Sequence, residues 1–298
     1  MPLALPLRHL LLALLTVFLW GVNFIAIKLA LQDLPPLLLC ALRFLFVCFP
    51  LVFFLPRPAI TWKQLLIYGA TMFGCQFAFL FLGMRLGMSA GLTAIVLQLQ
   101  VFVTMGLAAV ALRERISHMQ IAGVIIAMAG FVVVGLHVGT DVTVAGLIFL
   151  LLEACSWGYA NFTSRRLGRV IAVALVAWGG LVVPIPMGLA SLAFEGPATI
   201  AHSLTHVGWP ALGGLAYIVY ISTLVAYSLW SWLLARHPAS VITPFALLVP
   251  IVAMISSAMF LGETLPAWKI EAAVLVLLGL AVNVFGPRLL ATPAPQRA

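Results

Sequence analysis

The sequence predicts an all-α polytopic membrane protein: ten transmembrane helices, arranged as two inverted five-helix repeats around a central cavity. Three observations predict it. Of the 298 residues, 64% are hydrophobic and only 7% charged, whereas a soluble domain carries roughly 45–50% apolar and about 25% charged residues. The apolar residues gather into ten runs, each near the ~20 residues that a helix needs to cross a bilayer. A shift of 149 residues also lays the second half of the chain over the first.

The ten runs, divided by charge, Pro or Gly, are expected as helices over 10–31, 35–55, 65–84, 88–112, 119–137, 144–163, 170–192, 209–234, 238–261 and 266–286. The first follows Arg8 and extends past Ala30. That is too long for the apolar core of a signal peptide, so it reads as a retained span. Pro184 and Pro186 in the seventh run, and Pro244 and Pro250 in the ninth, remove helix hydrogen bonds and mark kinks or gating points. The longest connection, from Glu195 to His206, has no room for a soluble domain. The Pro- and Ala-rich end is expected as a disordered cytoplasmic tail within 287–298. The domains are therefore 10–137, 144–286 and this tail.

A net charge of +8 suggests nucleic-acid binding in a soluble protein, but here the charges sit in short gaps without a continuous basic face, which argues against it. They instead orient the chain. With the N-terminus cytoplasmic, the inner side collects Arg8, Arg57, Lys63, Arg113, Arg115, Arg165, Arg166, Arg169, Arg236, Arg288 and Arg297, and the outer side only Arg85 and Lys269. Short loops carry their positive charge inside, so both termini are expected in the cytoplasm. Cys40, Cys48, Cys75 and Cys155 all fall in apolar runs and read as small buried hydrophobes. His9, His118, His137, His202, His206 and His237 lie at loops or span ends, and no nucleophile, zinc or phosphate-loop motif is present. No cofactor is expected.

The repeat rests on more than apolar matches. The 149-residue shift carries Glu114 onto Glu263, Val103 onto Val252 and Gly130 onto Gly279, and a looser match pairs Trp20 and Gly21 with Trp157 and Gly158. Five spans is an odd number, so the copies insert with opposite orientation. Many secondary transporters are built this way, with the substrate site near the midplane.

Polar residues within the spans mark that site. An ionisable group there costs on the order of 3 kcal/mol unless it faces a partner or water. Arg43 and Glu153 both lie ~12–14 Å below the outer boundary at 1.5 Å per residue. They form either a site in a wet cavity or an ion pair locking two helices. Glu153, Trp157 and Asn161 recur every fourth residue and share a helix face. Trp20 and Asn23 share one in the first span, and both faces serve equally well as packing and interhelical hydrogen bonds. Gln76 is central in the third span. Gln98 and Gln100 lie about 200° apart on an α-helix, so one is expected in the cavity, and a stripe with Thr93 and Thr104 favours Gln100. Tyr217, Tyr220 and Tyr227 recur at helical spacing, as a lining or as packing. Lys28 sits near a helix end and snorkels.

At this level of detail the chain resembles the EamA family of the drug/metabolite transporter superfamily. The resemblance runs through WGVNFIAIK at Trp20 to Lys28, PPLLLCALRF at Pro35 to Phe44, FGCQFAFLF at Phe73 to Phe81 and GMSAGLTAIVLQLQVFVT at Gly87 to Thr104. It continues through ERISHMQIAG at Glu114 to Gly123, SWGYANFTSRR at Ser156 to Arg166 and LLVPIVAMISSAMFLGETL at Leu247 to Leu265. Glu153 lies just outside the shared segments. The resemblance implies a bacterial inner-membrane bundle exporting a small metabolite, cysteine or O-acetylserine, against proton entry. The partners are then that small molecule, protons and membrane lipid. The alternatives are an exporter of aromatic amino acids or cationic drugs, and an intramembrane enzyme. The expected substrate pathway is Trp20, Asn23, Arg43, Gln76, Gln98, Gln100, Glu153, Trp157, Asn161, Tyr220 and Tyr227.

Overall fold

The computed structural model describes residues 5–49, 51–114, 116–139, 142–164, 166–167 and 170–290. Among the described residues, ten helices are long and apolar enough to cross a membrane, numbered here as spans 1 to 10. They are Leu7–Asp33, Pro36–Phe54, Trp62–Arg85, Ala90–Leu112, His118–Leu136, Val144–Ser164, Ala172–Phe194, Trp209–Arg236, Thr243–Leu261 and Ala267–Gly286. The connection before span 8 holds a short helix, Pro197–His206, entered through Gly196 at φ 84°. The last helix continues to Leu290, so the first residues expected in the tail are helical. Residues 291–298, and Arg115, Asp141, Arg165 and Arg169, lie outside the described residues.

Several spans depart from a straight α-helix, and the departures fall in both halves. Span 4 breaks between Ala90–Val96 and Leu99–Leu112. Span 9 tightens into a 3₁₀ stretch over Thr243–Leu248, which the 149-residue shift relates to the break in span 4. Span 7 breaks between Gly180 and Pro184, where proline cannot complete the preceding turn. Spans 3 and 8 each contain a π-helical segment, Ala70–Cys75 and Tyr217–Val225, again related by that shift.

Wide π turns leave carbonyls that the helix itself does not satisfy, and a neighbouring span answers each. Ser156 Oγ of span 6 donates to Thr71 O at 2.8 Å, and Trp20 Nε1 of span 1 donates to Ser222 O at 3.2 Å.

Close backbone approaches pair off in the same way. A Cβ on Gly158 of span 6 would stand 2.6 Å from Val103 Cγ1 of span 4. One on Gly21 of span 1 would collide with Val252 of span 9. At the seam of spans 5 and 10, Gly123 lies against Gly279 and Gly130 against Ala272. Small residues suit such contacts, because helices in lipid associate through close packing rather than apolar burial.

Candidate functional site

A cavity of about 300 Å³ opens between spans 1, 2, 3, 4, 6, 8 and 9. Of the residues expected from sequence, Trp20, Asn23, Arg43, Gln76, Gln98, Gln100, Trp157, Asn161 and Tyr227 line it.

Arg43 is its charged member. Leu39 and Cys40 one turn earlier and Val47 one turn later are fully buried, while Leu45 and Phe46 on the opposite face are exposed, so Arg43 lies on the inward face of span 2. It is 1% exposed and lies 3.9 Å from the Phe77 ring centroid. Its Nη2 donates to Thr223 Oγ1 at 2.9 Å, and Thr223 in turn donates to Ile218 O, five residues back in the π segment of span 8. Nε and Nη1 have no partner.

Two amides complete the polar wall. Asn23 Oδ1 and Gln76 Oε1 are buried without a hydrogen-bond donor. The cavity thus presents two unused donors on Arg43 and two unused acceptors on separate spans. Unpaired buried polar atoms are expensive, and the four around this space can bond a polar ligand or water. Asn161 differs from Asn23, because its Nδ2 already donates to Gln100 Oε1 at 2.8 Å. Aromatic rings form the remaining side: Trp20 lies 5.3 Å from Tyr227 and 5.1 Å from Trp230 between ring centroids.

Three expectations change. Gln98 and Gln100 both line the cavity, because the break in span 4 is bonded from residue i to i−3: Gln98 N to Ile95 O, Gln100 N to Leu97 O and Val101 N to Gln98 O. At three residues per turn the two side chains come closer in angle than on an α-helix. Tyr220 faces outward and is 50% exposed, away from the cavity. The wider π turn takes it off the stripe that α-helical spacing drew through Tyr217 and Tyr227. Glu153 does not reach the cavity wall either. It shares a face with Trp157 and Asn161, but span 3 covers that part of the face, and Glu153 is fully buried with Gln76 turned toward it. Neither carboxylate oxygen is hydrogen-bonded, and the residue does not pair with Arg43.

Sequence reasoning missed Phe24, Phe77, Ser222, Trp230 and several aliphatic residues of the wall. For Trp230 a signal existed, since it follows Tyr227 by three residues on one helix face. Phe77 had none among nineteen phenylalanines.

Comparison with known proteins agrees with this architecture. The family model described as the EamA-like transporter family matches residues 7–136 and 144–285. The "Probable amino-acid metabolite efflux pump" of Salmonella typhimurium is 40% identical over 284 residues, covering 93% of this chain and 95% of that protein. The protein of the same description from Escherichia coli matches to the same extent. A solved crystal structure, 20% identical, aligns with a TM-score of 0.64 over 94% of this chain and 99% of its own, which shows the shared fold. The ten-span bundle belongs to the EamA-like transporter family.

Proposed function

We propose that this protein is a secondary transporter of the bacterial inner membrane that exports small amino-acid-like metabolites, of the cysteine and O-acetylserine class, against proton entry. Both termini lie in the cytoplasm, and residues 10–137 and 144–286 form two inverted repeats about the cavity. The paired departures in spans 3 and 8, 4 and 9, and 5 and 10 support the repeats; the excess of Arg and Lys in alternate loops supports the orientation.

One observation carries the substrate class. Arg43 offers two unused donors to a carboxylate, while Asn23 and Gln76 offer unused acceptors to an ammonium. A zwitterion satisfies both sets at once. About 300 Å³ lies at the small end of ligand pockets, which favours a small amino acid. A cationic drug would meet the Arg43 charge without relief. The rings of Trp20, Tyr227 and Trp230 keep an aromatic amino acid in the test panel.

The test is efflux from cells loaded with labelled cysteine or O-acetylserine, against aromatic and other amino acids, in the wild type and in Arg43→Gln. Export of the small zwitterions should dominate. The variant should reach the membrane in normal amounts and export at least tenfold more slowly, as losing a charge-assisted contact worth about 1.5–3 kcal/mol implies. Wild-type rates in Arg43→Gln would remove the carboxylate site.

A further inference from the structure

Glu153 is an acid without a counter-charge. It is fully buried, both oxygens lack a partner, and the Arg43 guanidinium is held by Thr223 and the Phe77 ring instead. Spans 3 and 4 pack against span 6. Inside the bilayer span 3 brings the titratable Tyr68 and Cys75, and span 4 brings none. Span 8 brings Tyr227, within electrostatic reach of both Glu153 and Arg43. None of these is a cation beside Glu153. Between this acid and the cavity stands the Gln76 amide, which lines the cavity and also faces Glu153.

We propose that Glu153 is the site of the coupling proton, and that the Gln76 amide makes proton and substrate mutually exclusive. The inference rests on the zwitterion-exporter reading above. A buried carboxyl with no counter-charge is stable in its neutral form. Its O–H then needs an acceptor, and the Gln76 amide that faces it has an unpartnered Oε1 that a turn of the amide would supply. With Oε1 turned to Glu153, the amide shows its N–H groups to the cavity and opposes an ammonium. When Glu153 is ionised, the amide turns over. Nε2 donates to the carboxylate, and Oε1 is presented to the substrate ammonium. An amide has one acceptor end and one donor end, so it serves either the proton or the substrate. A zwitterion leaves the net charge of the cavity unchanged, so the amide sets the exclusion. The step is proton transfer alone: one O–H bond forms on Glu153 with a proton from water, and later breaks to return it to water.

The test is equilibrium binding of labelled cysteine, kept reduced, to the purified full-length protein in lipid between pH 5 and 7.5. The wild type should bind about tenfold more weakly per pH unit on the acid side, the slope that one competing proton sets. Glu153→Gln, isosteric with the protonated acid, should give a pH-independent affinity. Gln76→Met should bind more weakly and also lose the pH dependence; it decides the matter where Glu153→Gln does not accumulate. A wild-type affinity flat in pH, or a Glu153→Gln protein that keeps the wild-type slope, overturns the proton site while leaving the exporter reading intact. If the wild type binds neither cysteine nor any amino acid of the panel, the zwitterion reading falls and the inference with it.

Discussion

The two ends of the bundle are held by opposite charges and in opposite ways. At one end three carboxylates reach across the chain to backbone N–H groups at the starts of other helices. Glu195 accepts from Leu37 and Leu38 at 2.7 and 3.1 Å, Glu263 from Ala90 and Gly91 at 2.8 and 3.2 Å, and Asp33 from Gly208 at 2.8 Å. At the other end the arginines fold onto nearby rings of their own segment: Arg57 on Trp62 and Arg236 on Trp232, each 3.9 Å from the ring centroid, and Arg166 on Phe162 at 4.6 Å. Links across that end include His9 with His237, Trp178 with Leu55 O and Asn283 Nδ2 with Gln120 O. A carboxylate at a helix N-terminus gains from both hydrogen bonds and the helix dipole, whereas an exposed arginine on a ring ties nothing distant together.

The cavity follows this difference. Its wall toward the carboxylate end is closed, with Leu80 at 2% and Ala94 at 3% exposure. Toward the arginine end, Trp157, Asn161 and Trp230 are only half-buried. The bundle is stitched at one end and accessible at the other. With the arginine end in the cytoplasm, as proposed, this is the state in which an exporter loads.

The largest effect on this asymmetry should come from Glu195→Ala. Glu195 also accepts from Ser191 Oγ at 2.6 Å, so three bonds vanish together. We expect a loss of about 2–4 kcal/mol, since bonds to a charged group are each worth about 1.5–3 and do not add fully. The start of span 2 should loosen. A single cysteine at Leu80, in a background without native cysteines, should then label with an impermeant maleimide from the carboxylate end. Unchanged labelling would mean that packing alone seals that end.

Glu263→Gln should come next, at about 1–3 kcal/mol. One acceptor is kept, and an N–H group is set against the N–H of span 4. A melt in detergent should show the loss, and a cysteine at Ala94 should gain reactivity. The 149-residue shift carries Glu263 onto Glu114, and Ala90 and Gly91 onto Ala239 and Ser240. Glu114→Gln should therefore loosen the arginine end and not the carboxylate end. Loosening of the carboxylate end by both variants would contradict the inverted relation.

What the sequence made legible follows from how local each determinant is. The ten spans show as apolar runs because burial in lipid acts residue by residue. Arg43 showed as a charge with no cheap place in a bilayer, and Trp20, Asn23 and Gln76 as residues at its depth. Non-local features stayed hidden. The faces of Gln98 and Tyr220 depend on a 3₁₀ break and a π turn, both of which propensity misses because neighbouring spans stabilise them. The face of Glu153 was readable, but the chain segment that covers it was not. The bond from Glu263 to Ala90 spans 173 positions. Only the repeat hinted that this loop acid had a structural duty.

Asp33→Asn is a smaller change at the carboxylate end. Asp33 is exposed and gives a single bond to Gly208, so about 0.3–1 kcal/mol is at stake, and labelling at Leu80 should rise only slightly. The smallest effect should be Arg236→Gln. Arg236 is exposed, its ring contact is with Trp232 four residues back in the same helix, and its bond to Trp232 O is a long 3.4 Å. Such contacts are worth about 0.5–1 kcal/mol at exposed sites, and both partners keep their places in span 8 without it. The melt should move little, and substrate efflux should stay within about twofold of wild type. Both Leu80 and Ala94 should remain protected. If Arg236→Gln instead closes the cavity or halts efflux, the arginine end holds more than its own aromatic neighbours, and the contrast between the two ends narrows to Glu195 and Glu263 alone.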